Sequence, residues 1–197
     1  MNEGRLEKQF QTVKTAILML EGKKRASKQP LYRETSLGFW GTSNVDDLFV
    51  FFSKIHLEEF THFLDMGSGD GRMVFIAALF TKATGIEIDD ELVKESQLLK
   101  EQLVKEGIIK NESCTFIKDD FMKHDFSKYD FLMAYYDKLF TLELEQKIEK
   151  EFKGDFYLYN NIYTPHFLKK EKIVWIAQMP FIKIATQKKN DTRQSPL

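Results

Sequence analysis

Apolar residues along this chain recur at helical spacing in some segments and form short continuous runs in others. The first helical stripe steps by four, three, four and three residues and predicts an amphipathic helix over residues 3 to 21. Such a stripe most often packs on its own domain. A weak homodimer through this helix is the alternative to a monomer, since the heptads number fewer than three. The members of the stripe are Leu6, Phe10, Val13, Ile17 and Leu20.

Strand-like runs and helical stripes alternate from residue 63 onward, and this alternation predicts a parallel sheet with helices on both faces. Two last runs, at 172–178 and 181–186, are separated by little more than Met179-Pro180 and predict an antiparallel pair. The fold class is therefore α/β, with a Rossmann-like, mostly parallel sheet that ends in an antiparallel C-terminal strand pair. The predicted strands are 63–66, 83–88, 114–117, 130–136 and 156–159, and the predicted helices are 72–80, 91–106 and 139–152.

The segment ahead of this alternation, residues 31–43, is rich in aromatic residues and glycine but has no helical or strand period. We interpret it as a fitted loop, either a lid beside a ligand site or a plug of Phe39 and Trp40 at a core edge. A helix over residues 44–55 follows, and Thr42 or Ser43 is expected to cap it.

The size and composition of the chain are those of one domain with a single core, with 197 residues of which 43% are hydrophobic. We expect an N-terminal helix with a basic connector over residues 1–30, a ligand-binding domain over residues 31–188 and a disordered tail over residues 189–197. The net charge of −1 lacks the basic surplus of most nucleic-acid-binding proteins, so a nucleic-acid partner is not expected.

The cysteine content and the apolar runs bear on the compartment. Cys114 is the single cysteine, which excludes an intramolecular disulfide and is typical of a reducing compartment. We interpret it as a core residue of a strand. No run reaches the roughly eighteen apolar residues of a membrane span, and the N-terminus mixes acidic with basic residues. These features predict a cytoplasmic, unexported protein that does not contact a membrane.

The most specific stretch is residues 63–71, Phe-Leu-Asp-Met-Gly-Ser-Gly-Asp-Gly, an apolar run followed by three alternating glycines. Glycine lets a backbone turn tightly and approach a ligand, and the next helix would direct its free N–H groups into this loop. A dinucleotide fingerprint would need another glycine where Arg72 stands. Asp65 and Asp70 would repel a pyrophosphate but favour a sulfonium or an α-ammonium group.

Acidic residues also close the next two predicted strands. Glu87 ends the second, where a carboxylate can accept hydrogen bonds from both hydroxyls of a ribose. Asp120 ends the third and is placed to accept from the exocyclic amine of adenine, with Ile88 and Phe121 able to sandwich the ring. Together with the glycine loop, these positions predict a cationic ligand that contains adenosine.

Three segments, 65–71, 85–89 and 118–121, resemble the first three motifs of the class I S-adenosylmethionine-dependent methyltransferases. The closing strand pair matches the reversed final strand of their seven-stranded sheet, so the resemblance spans roughly residues 63 to 188. It implies methyl transfer with S-adenosyl-L-methionine as cofactor, Glu87 on the ribose, Asp120 near adenine and the glycine loop under the methionine part. The cofactor contacts expected on this basis are Asp65, Gly67, Ser68, Gly69, Gly71, Glu87, Ile88, Asp120 and Phe121.

A narrower similarity concerns the methyl acceptor. The loop that carries Tyr32 and Thr42, together with Gly-Asp-Gly-Arg at 69–72, is similar to the lysine methyltransferases of the histone "disruptor of silencing" type and their small prokaryotic relatives. This similarity implies a protein lysine or another amine as acceptor. The Asn-Pro-Pro-Tyr signature of many enzymes that methylate bases or glutamine amides does not occur in the sequence.

The family resemblance places substrate-facing residues after the fourth strand, where Tyr135, Tyr136 and Asp137 stand, and these are the candidate catalytic residues. Strand alternation offers another reading of the two tyrosines, with one ring in the core and one at the surface. The entrance of the pocket is expected to come from residues 31–43 and from the loops after the fourth and fifth strands. Secondary candidates in the last of these loops are Asn160, Asn161 and Tyr163.

Two other functions are compatible with this layout. A nicotinamide-dinucleotide-dependent oxidoreductase is disfavoured by Arg72 and Asp70, and a non-catalytic cofactor-binding module would act through the N-terminal helix. The histidines lack the paired spacing of metal ligands, so no metal is expected. No Gly-x-Ser-x-Gly motif is present, which argues against a hydrolase.

Overall fold

A seven-stranded mixed sheet forms the centre of the protein in the computed structural model, which describes residues 3–28, 32–35, 38–160 and 162–186. The strands are β1 (Tyr32–Thr35), β2 (Gly38–Gly41), β3 (His62–Met66), β4 (Lys82–Glu87), β5 (Cys114–Lys118), β6 (Phe131–Ala134), β7 (Asp155–Tyr159), β8 (Lys170–Ile176) and β9 (Met179–Ile184). The large sheet has the order β5-β4-β3-β6-β7-β9-β8. Strands β3 to β7 are mutually parallel, and β9 is antiparallel to both β7 and β8. The predicted fold class is confirmed.

Helices cover both faces of this sheet. They are α1 (Glu3–Ala26), α2 (Val45–Lys54), α3 (Arg72–Ala77), α4 (Asp90–Lys105) and α5 (Leu142–Glu151). Helices α1 to α4 contribute to one buried apolar cluster, while α5 and the chain around Phe126 contribute to a second cluster on the opposite face. Because parallel strands between two helical layers are covered on both sides, β3, β6 and β7 are almost continuously buried.

The apolar stripe of α1 packs against its own chain. Phe10, Val13 and Ile17 are buried in the first cluster, and Leu6 and Leu20 pack against its edge. The helix also continues through the basic residues at 23–25, which were expected to form a connector, and positive charge in the last turn of a helix complements its dipole.

Residues 32–35 and 38–41 pair as the antiparallel strands β1 and β2, with Tyr32 opposite Gly41, so the prediction of an irregular loop was wrong. Strands of four residues are too short for a period of two to stand out in the sequence. The side chains of Phe39 and Trp40, proposed as a lid or a plug, lie outside the described residues, as does the predicted tail at 189–197.

Three element boundaries also differ from prediction. Asn44 caps α2 by accepting from the N–H groups of residues 46 and 47, at 2.9 and 3.2 Å, so neither Thr42 nor Ser43 is the cap. Strand β6 ends at Ala134, before the tyrosine pair. Met179 and Pro180 begin β9, and the turn before them contains Ala177 with a φ of 48°. None of the helices in the described ranges is long and apolar enough to cross a membrane.

Candidate functional site

A cavity of about 240 Å³ lies at the carboxyl ends of β3, β6 and β7, where open α/β sheets bind their ligands. Four separate segments supply its wall: the end of β2 and the chain after it, the glycine loop with the start of α3, the chain after β6 and the chain after β7. Its lining residues are Gly41, Ser43, Asp65, Gly67, Ser68, Gly69, Arg72, Met73, Tyr135, Tyr136, Asp137, Asn160, Ile162 and Tyr163.

The glycine loop between β3 and α3 is held against the end of β4. The N–H groups of Gly67 and Ser68 both donate to the Ile86 carbonyl oxygen, at 2.9 and 3.0 Å. Gly71 has a φ of 79°, and a Cβ there would lie 2.5 Å from the Phe116 ring. Glycine at 71 is therefore required for backbone conformation and for packing on β5, and Gly71 does not line the cavity.

Asp65 is the last-but-one residue of β3 and is only 2% exposed. Its carboxylate forms no hydrogen bond or ion pair with any group that the structure describes. Burial raises the pKa of Asp65 well above its ordinary value, and the nearby charges of Glu87 and Asp70 raise it further. The Ser68 hydroxyl, in the same wall, is also buried and has no partner among the described residues. The Asp65 carboxylate is therefore the polar group of this wall that a bound ligand can satisfy.

The other acid of the glycine loop, Asp70, is already paired. Its carboxylate accepts from Nε and Nη2 of Arg72, with shortest distances of 3.0 and 2.6 Å. The Arg72 guanidinium is buried and also contacts Glu21 of α1 and the Ser43 carbonyl oxygen. Burial alone would lower the pKa of Arg72, but Asp70 and Glu21 raise it overall. Asp65, and not Asp70, is therefore the acid that remains without a counter-charge.

The acids after β4 and β5 lie outside the cavity wall. Glu87 is 7% exposed and accepts from three backbone N–H groups, those of Gly69, Ile88 and Asp89, at 2.8 to 2.9 Å. Asp120 accepts from the Met122 N–H at 2.9 Å. Ile88 and Phe121, the predicted ring contacts, are half-buried beside these acids. The structure thus brings Asp65, Gly67, Ser68 and Gly69 of the predicted methionine contacts into one cavity, without Gly71, and leaves the predicted adenosine contacts on the neighbouring strand ends.

Two tyrosines and an aspartate follow β6 and all line the cavity. Tyr135 is 37% exposed, and its ring packs edge-on against Tyr159 at 5.0 Å between centroids. The Tyr136 ring packs on Phe140 at 4.4 Å. Burial raises the pKa of Tyr136, and the charge of Asp137 adds to that effect. Because both tyrosines lie past the strand, the alternation of core and surface does not apply to them.

Comparison with known protein families identifies the enzyme class to which this site corresponds. Residues 65–162 match the model of the ANTKMT methyltransferase domain. The protein is an S-adenosylmethionine-dependent methyltransferase with the fold of the class I enzymes. The methyltransferase matches no curated protein sequence with significance.

Solved structures support this fold assignment. The protein superimposes on an RNA methyltransferase from Salinibacter ruber in complex with S-adenosyl-L-homocysteine with a TM-score of 0.57 and 16% identity, over 77% of this chain and 97% of that one. It also superimposes on the putative methyltransferase yhhF from Escherichia coli, with a TM-score of 0.55 and 14% identity over 75% and 89%. The magnesium protoporphyrin IX methyltransferase ChlM from Synechocystis PCC 6803 with bound SAM gives a TM-score of 0.52 and 13% identity over 73% and 78%.

The residues of the cavity fit the cofactor of this family. S-adenosylmethionine carries an α-ammonium and a sulfonium, and the unpaired Asp65 carboxylate offers the matching charge in the cavity wall. The backbone of the glycine loop leaves room for a ligand chain at Gly67, where a Cβ would meet no atom within 4 Å. In the described parts of the chain, no three His, Cys, Asp or Glu residues are grouped to hold a metal.

Sequence reasoning found some of the remaining residues of the methyltransferase site and missed others. Asn160 and Tyr163 line the cavity, and Asn161 lies outside the described residues. Asn160 has a φ of 75° and accepts from the Ile162 N–H at 2.8 Å. Tyr159, which packs on Tyr135 but does not itself line the cavity, was also missed; its hydroxyl accepts from the Asn44 N–H at 3.0 Å, and burial raises its pKa to about 12.

The sequence analysis used Arg72 only as evidence against a dinucleotide fingerprint, which has a glycine at that position, and predicted no contacts for its side chain. Its contacts join a residue of α1 and the residue before Asn44 to the glycine loop. The one local signal was an arginine two positions after an aspartate at the start of a helix, a spacing at which the two side chains can pair.

Proposed function

We propose that this methyltransferase transfers the methyl group to a primary amine, namely the side chain of a protein lysine. The observation that carries the proposal is the chemistry of the cavity wall after β6 and β7, where three tyrosines stand with a carboxylate. The faces of aromatic rings and carboxylates both attract an ammonium group. These residues are Tyr135, Tyr136, Asp137 and Tyr163.

The proposed cofactor placement uses both ends of the site. Asp65 would accept from the α-ammonium of S-adenosylmethionine, with the backbone of Gly67, Ser68 and Gly69 beneath the methionine part. The adenosine part would extend over the ends of β4 and β5. There the proposed contacts are Glu87 with the ribose, Asp120 with the adenine amine, and Ile88 and Phe121 with the ring faces; Gly71 would support the loop from behind.

When bound, the cofactor supplies an activated methyl group, which moves to the acceptor nitrogen as the carbon–sulfur bond breaks and its electron pair stays on sulfur. The lysine ammonium must first lose a proton to the solvent, as it enters the cavity, because the nitrogen lone pair makes the new bond. Tyr136 has a raised pKa and keeps its own proton at neutral pH, so it orients the amine and does not act as a base. The cavity aligns the acceptor and excludes water, which suits a reaction whose leaving group is already activated.

One similarity supports a lysine acceptor: the segment with Tyr32 and Thr42 and the Gly-Asp-Gly-Arg loop at 69–72 resemble those of the "disruptor of silencing" lysine methyltransferases. The match to the ANTKMT methyltransferase domain covers the same glycine loop and the chain after β6. RNA is the competing acceptor, because a structural neighbour is an RNA methyltransferase. A net charge of −1 speaks against RNA.

The test is transfer of labelled methyl from S-adenosylmethionine to a fractionated cell lysate. We expect label in the protein fraction, insensitive to ribonuclease, recovered as methyl-lysine after hydrolysis and absent when lysines are acetylated beforehand. Tyr135→Ala should reduce transfer at least tenfold through loss of acceptor alignment. The matched control is Leu98→Ala, an exposed residue of α4. Label in a ribonuclease-sensitive fraction would overturn the lysine acceptor.

The setting of the enzyme is also part of the proposal. We propose a cytoplasmic location, because the single cysteine, Cys114, is a buried thiol whose pKa is raised by burial to about 11. We propose a monomer, because the apolar stripe of α1 is already covered by the protein's own core. We retain a methyltransferase domain over residues 31–188, with α1 docked on it from outside those bounds.

A further inference from the structure

The buried arginine at the start of α3 contacts three separate parts of the chain. Its Nη1 lies 2.8 Å from Oε1 of Glu21 in α1 and donates to the Ser43 carbonyl oxygen at 3.0 Å. Its Nε and Nη2 donate to the Asp70 carboxylate in the glycine loop. Arg72 is 5% exposed, so little water is available to replace any of these partners.

Each partner except Glu21 belongs to a segment of the cavity wall. Asp70 stands between Gly69 and Gly71, and Gly69, Ser43 and Arg72 itself line the cavity. Glu21 is not a lining residue, and its side chain is 17% exposed on α1. Among the described residues, the α1 side chain that pairs with Arg72 is thus one that has no part in the cavity itself.

We infer that Glu21 and Arg72 are positioning residues through which helix α1 sets the shape of the cofactor loop. The inference rests on the proposed placement of the methionine part on that loop, and it is independent of the acceptor. A buried guanidinium must keep its charge compensated, so Arg72 holds Glu21, Asp70 and the Ser43 carbonyl in one arrangement. Without Glu21, the guanidinium keeps only the Asp70 carboxylate and the Ser43 carbonyl oxygen, and the loop loses its fixed distance from α1.

Coupling of this kind works in both directions. If α1 fixes the loop for the cofactor, a ligand on the loop must in turn stabilise the adjoining end of α1. The contact is made at residue 21 of a helix that ends at Ala26, so the effect should be confined to that end. This reciprocal effect separates positioning from a contribution to stability alone, because the latter is the same with and without ligand.

The test compares Glu21→Gln with Lys14→Gln in the full chain, with S-adenosylhomocysteine as ligand. Lys14→Gln is the matched control, since it removes another ion pair of α1, with Asp46 at 2.6 Å, that does not touch the loop. We expect calorimetry to show affinity about tenfold weaker for Glu21→Gln and within about twofold of wild type for the control. Arg72→Lys should weaken binding at least as much, because one ammonium cannot bridge three partners. Glu21→Asp should restore part of the affinity.

Hydrogen exchange supplies the second readout. In the wild type, S-adenosylhomocysteine should slow exchange in residues 67–71 and also in residues 17–26; in Glu21→Gln only the first effect should remain. No protection of 67–71 in the wild type would contradict the proposed cofactor placement. Protection there without protection of α1, or unchanged affinity in a Glu21→Gln protein of lower melting temperature, would overturn the inference itself.

Discussion

Asp65 and Glu87 lie near the ends of neighbouring parallel strands, are both almost fully buried, and have opposite surroundings. The Glu87 carboxylate accepts from three backbone N–H groups. The Asp65 carboxylate accepts from none of the groups that the structure describes. The two strand ends therefore differ in what a ligand can add to them.

The difference suggests a structural role for Glu87 and a ligand-binding role for Asp65. Glu87 joins the glycine loop to the start of α4 whether or not a ribose is present, so its burial is compensated within the protein. The burial of Asp65 is not compensated by any group that the structure describes, and its proposed partner is the α-ammonium of the cofactor. On that placement, the methionine end of the site should depend on charge, and the adenosine end on hydrogen-bond geometry.

The largest effect is expected for Glu87→Ala. The change leaves three N–H groups, one buried and two partly buried, without this acceptor and should lower the free energy of unfolding by about 3 kcal/mol. It should also weaken binding of S-adenosylhomocysteine more than tenfold, through loss of the ribose acceptor and displacement of Gly69. Denaturant unfolding and calorimetry measure the two effects. Destabilisation with unchanged affinity would show that Glu87 has only the structural role.

A smaller effect, with opposite signs for stability and binding, is expected for Asp65→Asn. Removing an uncompensated buried charge should raise the free energy of unfolding of the ligand-free protein by about 1 kcal/mol. Affinity for S-adenosylhomocysteine should fall about tenfold, because the α-ammonium loses its counter-charge. Asp65→Asn that is less stable than wild type would contradict the comparison, since it would reveal a partner for the carboxylate.

The pH dependence of this difference checks its cause. Below the ordinary carboxyl pKa of about 3.9, Asp65 is protonated in both the folded and the unfolded chain, so its burial does not lower the free energy of unfolding through a buried charge. As the pH rises towards the raised pKa of the folded state, the unfolded chain binds fewer protons than the folded one, and the wild type loses stability relative to Asp65→Asn. The advantage of the variant should therefore grow from pH 4 upward and become constant above the folded pKa.

Much of the fold could be predicted because its signals are local. Helix α4 was expected over 91–106 and spans Asp90–Lys105, since a long periodic stripe ends at Gly107, which has a φ of 68°. The antiparallel pair of β1 and β2 was not predicted, because pairing between two four-residue strands leaves no periodic trace. The cap of α2 was misplaced by one residue, since Thr42, Ser43 and Asn44 are three consecutive capping types and geometry selects among them.

The site divides in the same way. The glycine loop and the acids at strand ends follow from spacing along single strands, which brings them to one edge of the sheet. The pairing of Arg72 with Glu21 and Ser43 joins positions far apart in the sequence, and no local pattern contains it. Whether the carboxylates of Glu87 and Asp65 have hydrogen-bond partners also depends on neighbours in space. The sequence analysis therefore could not distinguish the two acids and predicted a cofactor contact for both.

The smallest effect is expected at the adenosine end, for Asp120→Asn. An amide oxygen can still accept from the Met122 N–H and from an adenine amine, so affinity for S-adenosylhomocysteine should stay within about twofold of wild type. Asp120→Ala, which truncates the side chain and removes the acceptor, should weaken binding by about five- to tenfold, the loss of one hydrogen bond. Calorimetry on both Asp120 variants and on Asp65→Asn compares how much affinity depends on a negative charge at each position and how much on a hydrogen-bond acceptor. A loss for Asp120→Asn as large as that for Asp65→Asn would show that the adenosine end also needs a negative charge, and the division between the two strand ends would fail.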